Sequence, residues 1–145
     1  RLSLVGSEMC IRDRGMAEPA LLLDTSALLA LVFREPGMEV VLAALDGCAI
    51  SAVNQAEVVE VAARRGTDPA RAAAWAGELS IPILPFTPPM AARAGAVLAA
   101  GRARGLSLGD AACLGTAGTL GVPVLTADRA WAALGFDIEI RQLRP

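Results

Sequence analysis

Three consecutive leucines, Leu21-Leu22-Leu23, run directly into Asp24, and Thr25-Ser26 follow before a second apolar run from Ala27 to Leu31. A short continuous apolar stretch closed by a polar turn reads as a strand buried on both faces, the usual state of a parallel-sheet strand. Ser26, or Thr25 before it, is a natural N-cap for a following helix. Asp24 then stands at the carboxyl end of a central strand, where open α/β sheets bind their ligands. A carboxylate there is costly to bury unless something positive meets it. A bland alternative is that Asp24 only caps the helix.

Composition narrows what could meet it. The chain has 145 residues, a size that fits one domain able to bury a core without disulfides. Lysine is absent, so every basic side chain is an arginine, and the net charge of −2 argues against capture of nucleic acid by the whole surface. Histidine and tyrosine are also absent. That removes Ser-His-Asp and Cys-His relays, HExxH zinc sites and paired-histidine ribonuclease chemistry. Catalysis would have to use carboxylates, hydroxyls, thiols, arginines or a bound metal ion. Cys10, Cys48 and Cys113 are odd in number with no CxxC spacing, as expected for reduced thiols in a cytoplasmic protein. No stretch is long and apolar enough for a membrane span. Residues 1–15 lack periodicity and precede Met16; they read as a non-native or disordered extension, leaving 16–145 as a single domain.

Along the rest of the chain, strand and helix signals alternate. Met38 to Leu45 has helical spacing with Val41, Leu42 and Leu45 on one face, and Cys48-Ala49-Ile50-Ser51 is a second strand. A helix is expected from Val53 to Arg65, with Val53, Ala56, Val59 or Glu60, and Ala63 on successive turns. Asp68-Pro69 opens another. Ile81 to Phe86 reads as a third strand near an edge, because it holds prolines. Pro88 opens a helix through Arg104 that Gly105 closes, and Ser107 opens one that Gly121 ends. Pro123 to Thr126 is a fourth strand, Ala127-Asp128-Arg129 turns into a short helix, and Phe136 to Ile140 is a last strand. This order predicts an α/β chain: a doubly wound parallel sheet of four to five strands between helical layers.

Three further acids share Asp24's topological position. Glu57 lies early in the helix after the second strand, Asp110 opens the helix after Gly109, and Asp128 follows the fourth strand. In a parallel sheet these junctions lie on one rim. Two like charges about 4 Å apart cost on the order of 4 kcal/mol at an effective dielectric near 20. Such a cluster persists if carboxylates protonate or a divalent cation sits among them, and an all-oxygen donor set selects Mg²⁺ or Mn²⁺ over zinc. Carboxylate-held Mg²⁺ activates water and stabilises charge on a phosphodiester. Singly, each acid has an ordinary reading as a helix-surface, dipole or turn residue, and Glu60 competes with Glu57 for the inward position.

The segments LLLDTSALLAL, ISAVNQAEVVEVAAR, LSLGDAACLGTA and VLTADRAW, in that order, resemble the PIN-domain ribonucleases, in particular the VapC-type toxins of bacterial toxin–antitoxin pairs. The likeness runs from about Ala20 to Ile140. It implies a flattened α/β/α sandwich and an acidic metal site on Asp24, Glu57, Asp110 and Asp128, with the AExx placement favouring Glu57 over Glu60. It also implies Mg²⁺ or Mn²⁺ dependence, RNA cleavage, a small antitoxin (VapB-type) partner and a homodimer. The expected chemistry is in-line attack of water on an RNA phosphodiester, leaving 5′-phosphate and 3′-hydroxyl ends. Ser26 and Thr126 are supporting candidates to hydrogen-bond a carboxylate or a metal-bound water. Arg129, Arg64 and Arg65 are candidate phosphate contacts, since guanidinium matches phosphate geometry. The alanine-rich stretches Ala70–Leu79 and Ala91–Ala103 offer apolar faces to a partner or to the sheet. Rival readings are a catalytically silent binding module of the same fold, a DNA-directed metal nuclease, and an aspartyl-phosphate phosphotransfer enzyme. The last wants an acid at position 26 or a lysine, and the chain has neither.

Overall fold

The computed structural model describes residues 17–145; the extension expected over residues 1–15 lies outside them, as does Cys10. Five strands, β1 (Leu21–Leu23), β2 (Cys48–Ser51), β3 (Ile83–Leu84), β4 (Val124–Thr126) and β5 (Ile140–Gln142), form one all-parallel sheet in the order β3-β2-β1-β4-β5. The helices are α1 (Thr25–Val32), α2 (Met38–Ala44), α3 (Ala52–Arg64), α4 (Pro69–Glu78), α5 (Pro88–Gly101) and α6 (Leu108–Leu120).

β1 shows why the sheet needs two helical layers. Leu21 and Leu23 point to one face and Leu22 to the other, as strand alternation requires, and all three are buried. The first face packs against Leu28 of α1, Val41 of α2, Val58 of α3 and Ala76 of α4. The second packs against Ala94 and Val97 of α5, Leu114 of α6 and Trp131. The result is the α/β/α sandwich expected from the sequence.

The chain adds β2 and β3 on one side of β1, then crosses to add β4 and β5 on the other. The direction reverses between β1 and β4, and in open α/β sheets that crevice at the carboxyl ends is where ligands bind. Asp24 and Thr126 flank it, and the Asp24 N–H donates to the Leu125 carbonyl at 3.0 Å.

Several local expectations are corrected. Asp24 itself is the N-cap of α1, with extended backbone and a side chain that accepts from the Ser26 N–H; Thr25 and Ser26 are already helical. Leu42 is 46% exposed, so α2 buries Val41 rather than a broad apolar face. On α3 the buried residues are Asn54, Gln55, Val58 and Ala62, while Ala56 and Ala63 face solvent. Apolar spacing misplaces this face because two of its members are amides that bond inward, Gln55 to the Ala73 carbonyl and Asn54 into the site described below. The edge strand β3 is only two residues long. The last strand begins at Ile140, not Phe136; it is an edge strand carrying Arg141 and Gln142, so no apolar alternation marks it.

Candidate functional site

Asp24, Glu57, Asp110 and Asp128 line one shallow cleft of about 210 Å³ at the carboxyl ends of β1 and β4, together with Thr25, Ser26, Leu29 and Val61. A larger cavity of about 500 Å³ opens at the opposite ends of the strands, around Pro19, Gly47 and Pro82. The smaller cleft is where the chemistry gathers, four acids delivered by four separate segments.

Asp24 is the buried member, 4% exposed. Its Oδ2 accepts from Ser26 Oγ at 2.6 Å, Thr126 Oγ1 at 3.0 Å and the Ser26 N–H at 3.3 Å. No described residue donates to Oδ1. Burial pushes the Asp24 carboxyl up to about 6, Asp110's charge adds to the rise, and the Ser26 and Thr126 hydrogen bonds only partly offset it. The two hydroxyls also fasten the strand ends: Ser26 Oγ accepts from the Ala127 N–H at 2.9 Å, and Thr126 Oγ1 accepts from the Asp128 N–H at 3.0 Å.

Glu57 is half-buried on α3, and Glu60 is exposed and paired with Arg64, which settles which glutamate faces the cleft. Thr25 Oγ1 donates to Glu57 Oε2. The carboxylate lies on the backbone of Gly109: a β-carbon there would stand 2.7 Å from each of its oxygens. Asp110 forms a capping box with Ser107 at the start of α6, accepting from the Ser107 N–H at 2.7 Å. Asp128 is exposed and caps the following 3-10 turn through the Ala130 N–H at 2.8 Å.

The arginines sit elsewhere. Arg64 pairs with Glu60 at 2.6 Å, Arg65 pairs with Glu35 at 2.6 Å and covers the Phe33 ring, and Arg129 donates to the Pro145 carbonyl. None of the three lines the cleft. Thr25, Asn54 and Gly109 were not expected as site residues. The visible signal was Asn54 standing three positions before Glu57, one helical turn away on the same face.

The donor set fits a hard divalent cation. It is all oxygen, no arginine balances it, and a buried carboxyl keeps one oxygen without a donor among the described residues. Among the described residues, no three acids are already drawn together as a finished cation site. Asp110 and Asp128 accept from the Ser107 and Ala130 N–H groups, and Glu57 accepts from the Thr25 hydroxyl.

A PIN domain family model matches residues 21–137. No curated protein matches the chain in sequence. Among solved structures, the chain is similar to one in the DNA-bound VapBC complex of Salmonella typhimurium, at 22% identity and a TM-score of 0.69, covering 86% of this chain and 98% of that one. It is also similar to a chain of a toxin–antitoxin complex from Klebsiella pneumoniae, at 24% identity and a TM-score of 0.65, covering 85% and 97%. VapC20 of Mycobacterium tuberculosis, described as a sarcin–ricin loop cleaving toxin, matches at 20% identity and a TM-score of 0.65, covering 86% and 99%. These likenesses agree with the parallel sheet and its two helical layers. With the family model spanning β1 through the segment before β5, the chain belongs to the PIN-domain family.

Proposed function

We propose that this protein is a metal-dependent endoribonuclease that acts as the toxin of a toxin–antitoxin pair. The observation that carries the reading is the convergence of four carboxylates on one arginine-free cleft at the switch point of the sheet. Asp24 and Asp110 would be the most direct holders of Mg²⁺ or Mn²⁺, with Glu57 and Asp128 completing the pocket. The bound ion would supply an activated water and charge stabilisation on the phosphate.

The chain's own residues prepare that pocket. Ser26 and Thr126 fix Asp24 through one carboxylate oxygen and leave the other for a cation. Thr25 orients Glu57. Leu29 and Val61 give the cleft an apolar wall that strengthens charge interactions beside it. RNA enters the proposal on two grounds: the resemblance of the four motifs, and the relative described as cleaving the sarcin–ricin loop. The toxin–antitoxin complexes among the similar structures support a protein antitoxin as partner. A homodimer in the cytoplasm is part of the same proposal. Among the described residues no helix is long and apolar enough to cross a membrane.

The deciding experiment is cleavage of labelled total tRNA and rRNA with Mg²⁺, Mn²⁺ or EDTA, comparing the wild type with Asp24→Asn. Metal-dependent cuts with 5′-phosphate ends that vanish in the variant are expected. Folded protein that binds Mn²⁺ and cuts neither RNA nor DNA would make it a silent binding module, and cuts confined to DNA would move the substrate class.

A further inference from the structure

Asn54 is fully buried on α3, one turn ahead of Glu57. Its Nδ2 donates two hydrogen bonds of 3.2 Å each, one to Thr25 Oγ1 at the start of α1 and one to the Gly109 carbonyl in the first turn of α6. Thr25 in turn donates to Glu57 Oε2, and the Glu57 carboxylate rests on Gly109. The three helices that carry or adjoin Asp24, Glu57 and Asp110 therefore meet on one amide.

Two features separate this amide from ordinary filling. A carbonyl only accepts, so the bond to Gly109 fixes which end of the amide faces it. The remaining atom, Oδ1, is buried with no partner among the described residues. A leucine of the same branched shape would avoid that unmet acceptor. The donor pair is what an apolar residue could not provide.

We propose that Asn54 is the positioning residue of the acidic cleft: by tying Thr25 to Gly109 it holds Glu57 and Asp110 at a fixed spacing for a divalent cation. The inference rests on the metal-nuclease reading above. Asn54 acts through Thr25 and Gly109 and touches neither RNA nor cation.

The test compares wild type, Asn54→Leu, Thr25→Val and the double variant. Mn²⁺ binding is read from the electron paramagnetic resonance of free Mn²⁺, alongside kcat and KM for RNA cleavage and urea unfolding. Asn54→Leu is expected to weaken Mn²⁺ binding about tenfold or more and to lower kcat with KM for RNA unchanged. Adding Thr25→Val should cost little more, because both changes break one linkage. Wild-type Mn²⁺ affinity and kcat in Asn54→Leu, or losses that simply add, would overturn the proposal. If Asn54→Leu does not fold, Asn54→Ser, which keeps one donor, replaces it: an intermediate Mn²⁺ affinity is expected, and a wild-type value overturns the proposal. Wild-type protein that neither binds Mn²⁺ nor cuts RNA would overturn the nuclease reading and this proposal together. An active, Mn²⁺-binding wild type beside an unaltered Asn54 variant would overturn this proposal alone.

Discussion

Thr126 at the end of β4 donates its hydroxyl to Oδ2 of Asp24 at the end of β1, a 3.0 Å bond across 102 positions of sequence. The two strands are neighbours only because the sheet changes direction between them, so the bond exists at the crevice and nowhere else in the fold. It lowers the Asp24 carboxyl against the larger rise from burial, which together place it at about 6. Thr126→Val keeps the shape and removes the donor. The Asp24 midpoint in metal-free protein, followed by the carboxyl ¹³C shift, should therefore rise above 6. A midpoint at or below the wild-type value would contradict the assignment of the bond.

The same carboxyl makes the fold less stable where the protein would work. Its folded-state value of about 6 lies above the ordinary 3.8, so protonated Asp24 favours the folded state. That contribution is complete below pH 3.8, declines as pH rises through 6, and is gone above it. A displacement of this size corresponds to roughly 3 kcal/mol. Asp24→Asn stays neutral at every pH and keeps an acceptor for Ser26 and Thr126. Urea unfolding should show the variant more stable than wild type at pH 8, by up to about 3 kcal/mol, with the gap closing toward pH 4. Loss of cleavage with gain of stability is the pattern of a functional acid held at a cost. A gap that widens toward low pH would refute it.

What spacing and composition can reveal depends on the kind of signal each residue leaves. Asp24 is legible because a continuous leucine run ending in an acid fits the end of a buried strand and little else. Gly105 and Gly121 mark helix ends correctly because both adopt left-handed backbone there. The inward face of α3 is hidden because Asn54 and Gln55 are polar, and only tertiary partners, residues 25, 73 and 109, make their burial tolerable. Strand β5 escapes its true position because an edge strand with one half-buried face needs no apolar alternation. Arg129 looks close to the rim by its place after Asp128, but its guanidinium turns to the chain end at Pro145. Side-chain direction at an exposed turn leaves no trace in spacing.

Gly109 is expected to tolerate no side chain. An added β-carbon would lie 2.7 Å from both Glu57 oxygens and 2.9 Å from the carboxyl carbon, so the glutamate must move. The helix itself would not be weakened by alanine, since glycine is the poorer helix former. Gly109→Ala should thus stay folded and still lose cleavage, about a hundredfold if the carboxylate is displaced by an ångström. Thermal unfolding and single-turnover rates on the same RNA check both halves. Full activity in a folded variant would show that the position of Glu57 does not matter.

Gly115 answers to a different constraint, far from the acids' chemistry. It sits where α6 crosses α5, and a β-carbon there would stand 2.6 to 2.8 Å from the Ala94 nitrogen, Cα and Cβ. Two of those atoms are backbone, so no rotamer change relieves the overlap and the helices must separate. Overpacking of this kind costs about 1–3 kcal/mol and sometimes more, against the roughly 1 kcal/mol that alanine gains in helix propensity. The steric cost dominates because the separation would also loosen Val97 and Leu114, which the second core face buries. Gly115→Ala should lower the urea midpoint while leaving Mn²⁺ affinity per folded molecule near wild type, the reverse of the Gly109→Ala result. A variant as stable as wild type would mean that the two helices are not held at this distance.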